Sequence, residues 1–232
     1  MYVYITGVSR GLGFALAENF LNHGNFVFGI GRTNSIENEK YNFIECDLSD
    51  NNEVDSLEIN LPENEEILLI NNAGILGDVK RVSDQQEDFS QSLFQTNTIS
   101  PIQLIRKFSR WSEEKNCKLT IINISSGAGR RAIPSWANYC ASKAALDLFS
   151  ETFQLEEIEK GKETRIFSLA PGVIDTEMQV NIRNTEKSNF SSQESFELLH
   201  AGNKLQSPEN TADKIRIFYM NCEHENVICR LE

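Results

Sequence analysis

The chain has few of the residues that build metal and disulfide sites: its 232 residues include only five cysteines and three histidines. The cysteines are odd in number, no C-x-x-C pair occurs, and no histidine stands at ligand spacing from a cysteine. We therefore expect neither a zinc site nor a disulfide framework. The expected compartment is reducing and cytoplasmic, since no targeting segment precedes Tyr2, where the first predicted strand begins.

Long apolar runs and an excess of positive charge are also missing. No apolar run approaches the roughly 18 residues of a transmembrane helix. The net charge is −12, whereas nucleic acids and anionic membranes require basic patches. We expect neither as a partner. No repeat, low-complexity tract or linker interrupts the sequence, so residues 1–232 are predicted to form one domain.

Short aliphatic segments alternate with amphipathic or polar ones along the chain. This alternation predicts an α/β fold, a Rossmann-type doubly wound parallel sheet flanked by helices in three layers. The predicted strands are 2–5, 26–31, 41–46, 66–70, 119–124, 164–169 and 227–229. The predicted helices are 14–21, 51–61, 89–115 and 208–219, with a further helix around Tyr139 and Lys143.

The first predicted strand runs into a glycine-rich turn, TGVSRGLG at residues 6–13, and then into a helix. Strand, turn and helix in this order are typical of a dinucleotide-binding unit. Glycines let backbone amides approach a pyrophosphate at the positive end of the helix. The candidate cofactor-binding residues of the turn are Gly7, Ser9, Arg10, Gly11, Leu12 and Gly13.

The end of the second predicted strand indicates which cofactor is bound. An acidic residue there would bind a ribose 2′-hydroxyl and repel a 2′-phosphate, but Ile30, Gly31 and Arg32 include none. Two guanidinium groups, those of Arg10 and Arg32, can grip a phosphate dianion. The alternative is a pair of exposed surface arginines. We predict NADP(H) as the cofactor.

Residues 123–143, NISSGAGRRAIPSWANYCASK, carry the clearest chemical pattern. Tyr139 and Lys143 stand four apart, which puts a phenol and an ammonium on one face of a helix. Ser126 lies just past the carboxyl end of the predicted strand 119–124, at the edge where open α/β sheets bind ligands. Together the three groups could protonate or deprotonate an alcohol.

This Ser-x12-Tyr-x3-Lys spacing resembles the active-site signature of the short-chain dehydrogenase/reductase family, and five further motifs of that family occur in the right order. The run GVIDTEMQ at residues 172–179 resembles sepiapterin reductases and bacterial benzil reductases. The resemblance implies that Tyr139 donates the proton and Ser126 binds the carbonyl oxygen. It also implies that Lys143 holds the ribose and lowers the pKa of the phenol, and that Asn97 completes a proton relay.

Asn97 is expected to act through a water on its backbone carbonyl. Pro101 has no N–H, so this carbonyl loses its helical partner four residues on; a plain helix kink is the alternative. The resemblance also implies further cofactor contacts after the predicted strands. They are Asp47 and Leu48 at the adenine, Asn72, Ala73 and Gly74 beside the cofactor, and Pro171, Gly172, Val173, Ile174 and Thr176 at the nicotinamide.

The expected substrate is a small ketone or vicinal dicarbonyl reduced by NADPH. Trp136 and Met178 are candidate substrate contacts beside Ser126 and Tyr139, and residues 177–205, which we call the lid segment, are expected to cover them. Three alternatives stay open: a 3-oxoacyl-[acyl-carrier-protein] reductase, a dehydrogenase working oxidatively, and a non-catalytic NADP-binding sensor. By analogy with the family, a homodimer or homotetramer is expected.

Overall fold

The computed structural model describes residues 1–85, 87–221 and 226–231, and for residues 87–89 only the backbone. The strands of this part of the chain are β1 Tyr2–Thr6, β2 Phe26–Gly31, β3 Tyr41–Glu45, β4 Glu66–Asn71, β5 Lys118–Ile124, β6 Arg165–Ala170 and β7 Ile228–Arg230. The α-helices are α1 Gly11–Asn22, α2 Asn51–Ser56, α3 Glu87–Phe94, α4 Ser100–Glu114, α5 Ala137–Glu159, α6 Glu177–Arg183, α7 Gln193–Ala201 and α8 Pro208–Met220.

The strands form one parallel sheet in the order β3-β2-β1-β4-β5-β6-β7. The predicted fold class, a doubly wound α/β sheet, is therefore confirmed. The order reverses between β1 and β4, and in such sheets ligands bind in the crevice outside the carboxyl ends of the strands at that reversal. The candidate site described below lies at these carboxyl ends.

Helices cover both faces of the sheet, which explains why the strands read as aliphatic runs rather than alternating ones. In β4, Leu68 and Ile70 pack on the face shared with α1 and α8. Ile67 and Leu69, which point to the opposite face, join a second core with Phe108 of α4. The three-layer arrangement follows from these two cores.

Two predicted helices have different limits in the structure. The helix predicted at 51–61 ends as α2 at Ser56, because Leu57 is extended, and the chain beyond it buries Ile59 and Leu61 against the sheet. The helix predicted at 89–115 is divided by a π-helical turn, Gln95–Ile99. Pro101 cannot donate the bond that an α-helix requires four residues after Asn97, and a wider turn lies immediately before it.

The lid segment contains α6 and α7, joined by a loop. Among the described residues, no helix combines the length and the hydropathy that crossing a membrane requires. Within the same residues, no group of three His, Cys, Asp or Glu side chains could hold a metal ion. The described cysteines, Cys46, Cys117, Cys140 and Cys229, are free, and Cys222 lies outside the described residues.

Candidate active site

A cleft of about 1750 Å³ opens at the carboxyl ends of the central strands. Every residue predicted from the sequence to touch cofactor or substrate lines it, whereas the predicted relay residue Asn97 is fully buried and does not. Its volume exceeds the roughly 300–1,000 Å³ of an ordinary ligand pocket. The cleft therefore has room for a dinucleotide and a substrate side by side.

The glycine turn can adopt its compact shape only because its three glycines lack side chains. Gly7 and Gly11 have φ angles of 74° and 58°, a region that glycine enters without strain. A Cβ on Gly13 would lie 2.1 Å from the Gly7 carbonyl oxygen and 2.5 Å from Asn72 Nδ2. These close approaches and the start of α1 at Gly11 fit a dinucleotide pyrophosphate.

Side-chain hydrogen bonds join the turn after β4 to the end of β1. Thr6 Oγ1 accepts hydrogen bonds from the backbone N–H groups of Asn72 and Ala73, each at 2.9 Å. The Asn72 amide donates to the Thr6 carbonyl at 2.9 Å. A Cβ on Gly7 would lie 3.0 Å from Ala73 Cα, so the small residues of both turns pack directly together.

Both arginines predicted to select the cofactor line the cleft, but each faces a carboxylate. Arg10 pairs with Glu177 at the start of α6, and Arg32 Nη1 lies 3.8 Å from Asp47 Oδ2. Burial raises the pKa of Asp47, but hydrogen bonds from Ser49 and the charge of Arg32 outweigh it and hold this pKa below its usual value. The two arginine side chains are about three-quarters exposed. Sequence reasoning missed both acidic partners.

The predicted catalytic groups meet at the end of β5. Tyr139 and Ser126 share a hydrogen bond, and Lys143 Nζ donates to the Ile124 carbonyl at 2.8 Å. Lys143 Nζ also lies 5.9 Å from the centroid of the Tyr139 ring. Tyr139 and Lys143 are both buried. The spacing of four residues thus produces the shared helix face that the sequence predicted.

The pKa values differ from the expected pattern. Burial raises the pKa of Tyr139, and the hydrogen bond with Ser126 lowers it only in part. The pKa of the phenol is therefore raised, not lowered toward working pH as expected, because desolvation dominates. Burial lowers the pKa of Lys143 itself from 10.5 to about 8, against the opposing charge of Asp147. A phenol that keeps its proton is suited to acting as an acid.

Asn97 uses its side chain to hold the loop that follows β4. Its Oδ1 accepts from the Ile75 N–H and its Nδ2 donates to the Ile75 carbonyl, both at 2.8 Å. Nδ2 also donates to Ser142 Oγ on α5 at 3.2 Å. A Cβ on Gly74 would lie 3.4 Å from Asn97 Oδ1 and 3.5 Å from Lys143 Nζ. Asn97 is thus close to Lys143 while it fixes the loop.

The predicted nicotinamide segment, 171–176, is held in place by a residue that sequence reasoning missed. The backbone N–H of Gln206 donates to the Val173 carbonyl at 3.0 Å, and the backbone carbonyl of Gln206 accepts from the Asp175 N–H at 2.9 Å. Gly172 has a φ of 88°, which favours glycine. Thr176 precedes α6, and its hydroxyl caps no N–H group of that helix. The hydroxyl is therefore available to a ligand in the cleft.

Aromatic rings join the lid segment to the substrate side of the cleft. Trp136 stacks on Phe190 with ring centroids 5.4 Å apart, meets Phe196 at 5.5 Å, and meets Tyr139 edge-on at 5.6 Å. Phe190 is fully buried, whereas Phe196 lines the cleft together with Met178.

A hydrogen bond from a side-chain hydroxyl fixes the same region. Ser135, with a φ of 71°, precedes Trp136, and its hydroxyl donates to the Asn189 carbonyl in the lid segment. A positive φ at a non-glycine residue costs of order 1 kcal/mol or more. This contact and the aromatic stack hold the lid segment over the helix that carries Tyr139.

Comparison with known proteins agrees with these features. The family model described as short chain dehydrogenase matches residues 1–187. A benzil reductase ((S)-benzoin forming) of Bacillus cereus is 36% identical, over 93% of this chain and 92% of its own. That of Bacillus subtilis (strain 168) is 34% identical, over 88% and 87%. A sepiapterin reductase of Xenopus tropicalis is 35% identical, over 51% of this chain and 45% of its own. The resemblance predicted from the motifs is confirmed.

Solved structures share the fold. The short-chain dehydrogenase/reductase YIR035C of Saccharomyces cerevisiae has a TM-score of 0.84 at 23% identity, covering 99% of this chain and 95% of its own. A 4-hydroxyisoleucine dehydrogenase complexed with NADH has 0.80 at 21%, covering 100% and 96%. A serine dehydrogenase complexed with NADP+ has 0.77 at 19%, covering 100% and 94%. The same fold thus holds either nucleotide in those proteins.

Proposed function

Because this chain belongs to the short-chain dehydrogenase/reductase family, whose members use NAD(P)(H), we propose that it reduces a small ketone or vicinal dicarbonyl with NADPH. The observation that carries the proposal is the meeting of Ser126, Tyr139 and Lys143 at the end of β5, inside the cleft. The chemistry that the nicotinamide supplies when bound is hydride transfer to the carbonyl carbon.

The side chains divide the remaining work. Ser126 donates a hydrogen bond to the carbonyl oxygen, and Tyr139 gives its proton to the nascent alkoxide. The raised pKa of the phenol keeps that proton in place until negative charge develops on the oxygen. Lys143 binds the ribose hydroxyls, and Asn97 connects Lys143 to solvent through its backbone carbonyl.

Different parts of the cleft lining bind different parts of the cofactor. The glycine turn holds the pyrophosphate, residues 47–48 hold the adenine, residues 72–74 lie against the cofactor, and residues 171–176 hold the carboxamide. Arg10 and Arg32 take the 2′-phosphate by exchanging Glu177 and Asp47 for it. This exchange costs little, because exposed ion pairs contribute only about 0–1 kcal/mol. A dianion offers each guanidinium a stronger, bidentate partner.

The substrate side favours a flat, compact carbonyl compound. Ile133, Trp136, Met178 and Phe196 line it with apolar and aromatic surface. A second carbonyl beside the first withdraws electron density, which makes the first a better hydride acceptor. Two relatives that align over nearly the whole chain bear the name benzil reductase. We therefore propose benzil-like 1,2-dicarbonyl compounds as substrates, reduced to hydroxyketones.

Steady-state kinetics tests this proposal. NADPH consumption is followed with benzil, a smaller 1,2-diketone and an acetoacetyl thioester, and each assay is repeated with NADH. We expect kcat/KM for the dicarbonyls to exceed that for the thioester at least about tenfold, a difference of about 1.4 kcal/mol in transition-state binding. If the thioester is the better substrate, the protein is a fatty-acid-type ketoreductase and the proposed substrate class is wrong.

We also propose that the protein is a cytoplasmic homodimer or homotetramer in which the lid segment, 177–205, covers the substrate within one domain of residues 1–232. Leu148, Leu155 and Ile158 are each more than 60% exposed. Their spacing of seven and three residues puts them on one side of α5. Such an apolar stripe suits contact with a second copy of the chain.

A further inference from the structure

The helix face that carries Tyr139 and Lys143 continues into a third buried polar residue. Asp147 lies one turn beyond Lys143 on α5, and only 9% of its side chain is exposed. Residues four apart lie above one another on a helix. Sequence reasoning did not single out Asp147, and nothing in the proposed chemistry uses it.

The carboxylate of Asp147 binds groups from three other parts of the fold. Its Oδ1 accepts hydrogen bonds from Ser125 Oγ, just past β5, and from Ser168 Oγ on β6, both at 2.5 Å. Its Oδ2 lies 3.4 Å from Arg130 Nε, in the short 3₁₀ turn Gly127–Arg130. Arg130 in turn donates to the Cys229 carbonyl on β7 at 3.0 Å. Charge-assisted hydrogen bonds of this kind are the strong ones.

The hydrogen bonds of Asp147 hold residues that adjoin the proposed catalytic groups. Ser125 stands between Ile124, whose carbonyl accepts from Lys143, and Ser126, which shares its hydrogen bond with the catalytic phenol. At the end of β5, the consecutive residues Ile124, Ser125 and Ser126 are thus bound by Lys143, Asp147 and Tyr139 of α5, in that order. The hydrogen bond from Ser125 to Asp147 therefore holds the residue that lies between the other two.

We propose that Asp147 is a positioning residue. It fixes the end of β5, so that Ser126 and Lys143 keep their positions, and its negative charge opposes the positive charge of the Lys143 ammonium. The inference rests on the proposed function, since it assigns Asp147 to the same site. Burial makes the arrangement effective, because a buried charge is screened little.

The charged and titratable groups around Asp147 and Lys143 determine how a substitution at Asp147 affects the titration of Lys143. Tyr139 faces Lys143 from the same helix, and Arg130 faces Asp147 from the 3₁₀ turn. The strands β5 and β6 face the pair with the hydroxyls of Ser125 and Ser168. The charge of Asp147 raises the pKa of Lys143 against the effect of burial. Removing that charge must therefore move the titration of Lys143 to lower pH.

Three variants separate positioning from a general structural role. Asp147→Asn keeps an oxygen for the two hydroxyls but removes the charge and turns an amide toward Arg130. Ser168→Ala keeps the charge but removes one hydroxyl donor. Glu157→Gln is the matched control, since Glu157 is a fully buried carboxylate on the same helix that pairs with Lys160 and does not line the cleft.

Each variant is assayed for kcat and KM from pH 5.5 to 10 with NADPH and a 1,2-diketone. For Asp147→Asn we expect kcat at pH 7 to fall about 10- to 100-fold, as small displacements of reacting groups do, with KM changing much less. Activity that needs protonated Lys143 is lost as pH rises through its pKa. This high-pH limb should move to lower pH in Asp147→Asn but not in Ser168→Ala, which should lower kcat alone.

Glu157→Gln should lose stability and keep the wild-type kinetics and pH profile. If Asp147→Asn behaves as Glu157→Gln does, the proposal is overturned. If Asp147→Asn does not fold, a wild-type kcat in Ser168→Ala overturns it instead. Should the wild type reduce no carbonyl with either nucleotide, the proposed function fails. The inference is then decided by urea unfolding without cofactor, where the rise in stability that Lys143 causes above pH 8 must begin at lower pH in Asp147→Asn.

Discussion

Replacing Lys143 by methionine should stabilise the cofactor-free protein while abolishing its activity. Burial lowers the pKa of Lys143 from 10.5 to about 8. Since one pKa unit corresponds to about 1.4 kcal/mol, a protonated Lys143 costs the folded state on the order of 3 kcal/mol. Methionine fills the same space without the charge but leaves the Ile124 carbonyl without its donor, which costs about 1 kcal/mol. The net gain at pH 7 should be about 2 kcal/mol.

The pH dependence gives this prediction its sign. The pKa of Lys143 is lower in the folded than in the unfolded chain, so between about pH 8 and 10.5 the unfolded chain binds more protons. The wild type therefore gains stability from this group as pH rises through that window. The advantage of Lys143→Met should be complete below pH 8 and should vanish before pH 10.5. Above pH 10.5 the variant should be about 1 kcal/mol less stable than wild type, since only the missing hydrogen bond to Ile124 then counts.

Urea unfolding of the cofactor-free proteins at pH values from 6 to 10.5 measures this difference. For a chain of this size about 2 kcal/mol corresponds to roughly 4–8 °C in Tm. Lys160→Met is the control: the bond and charge of Glu157 raise the pKa of Lys160, so its loss should destabilise the protein at pH 7. A Lys143→Met variant that is less stable than wild type at pH 7, or whose advantage is the same at every pH, would refute the reasoning.

Three further predictions concern the cofactor, the acid and the assembly. Arg32→Asp should weaken NADPH binding by about 2–4 kcal/mol, because it removes a charged partner and adds repulsion beside Asp47; a fluorescence titration checks it, and equal wild-type affinities for NADH and NADPH would contradict the assignment. Tyr139→Phe should abolish turnover and leave NADPH binding nearly intact, because the phenol acts only on the reacting carbonyl; steady-state kinetics that show substantial residual activity would remove Tyr139 from its role. Leu155→Glu should lower the mass measured by sedimentation, and an unchanged mass would exclude this face of α5 as the contact between copies.

The elements that the sequence alone determined are those that depend on neighbours in the chain. Aliphatic runs such as those of β4 and β5 must be buried on both faces, whatever else surrounds them. The glycines of residues 7–13 are needed where side chains would collide, and a spacing of four residues puts Tyr139 and Lys143 on one helix face in any helix. The fold class, the family and the lining of the cleft therefore followed from local pattern and resemblance.

Tertiary structure decided whatever depends on residues far apart in sequence. The carboxylates facing Arg10 and Arg32 come from residues 177 and 47, and no spacing rule brings such pairs together. Whether Phe190 or Phe196 reaches the cleft depends on how the lid segment packs on Trp136.

Desolvation is likewise a property of the assembled core. It raises the pKa of Tyr139, lowers that of Lys143, and strengthens the hydrogen bonds that the Asp147 carboxylate accepts. The chain supplies these three titratable groups in order along one helix. Only packing against β5 and β6 excludes the water that would otherwise screen them.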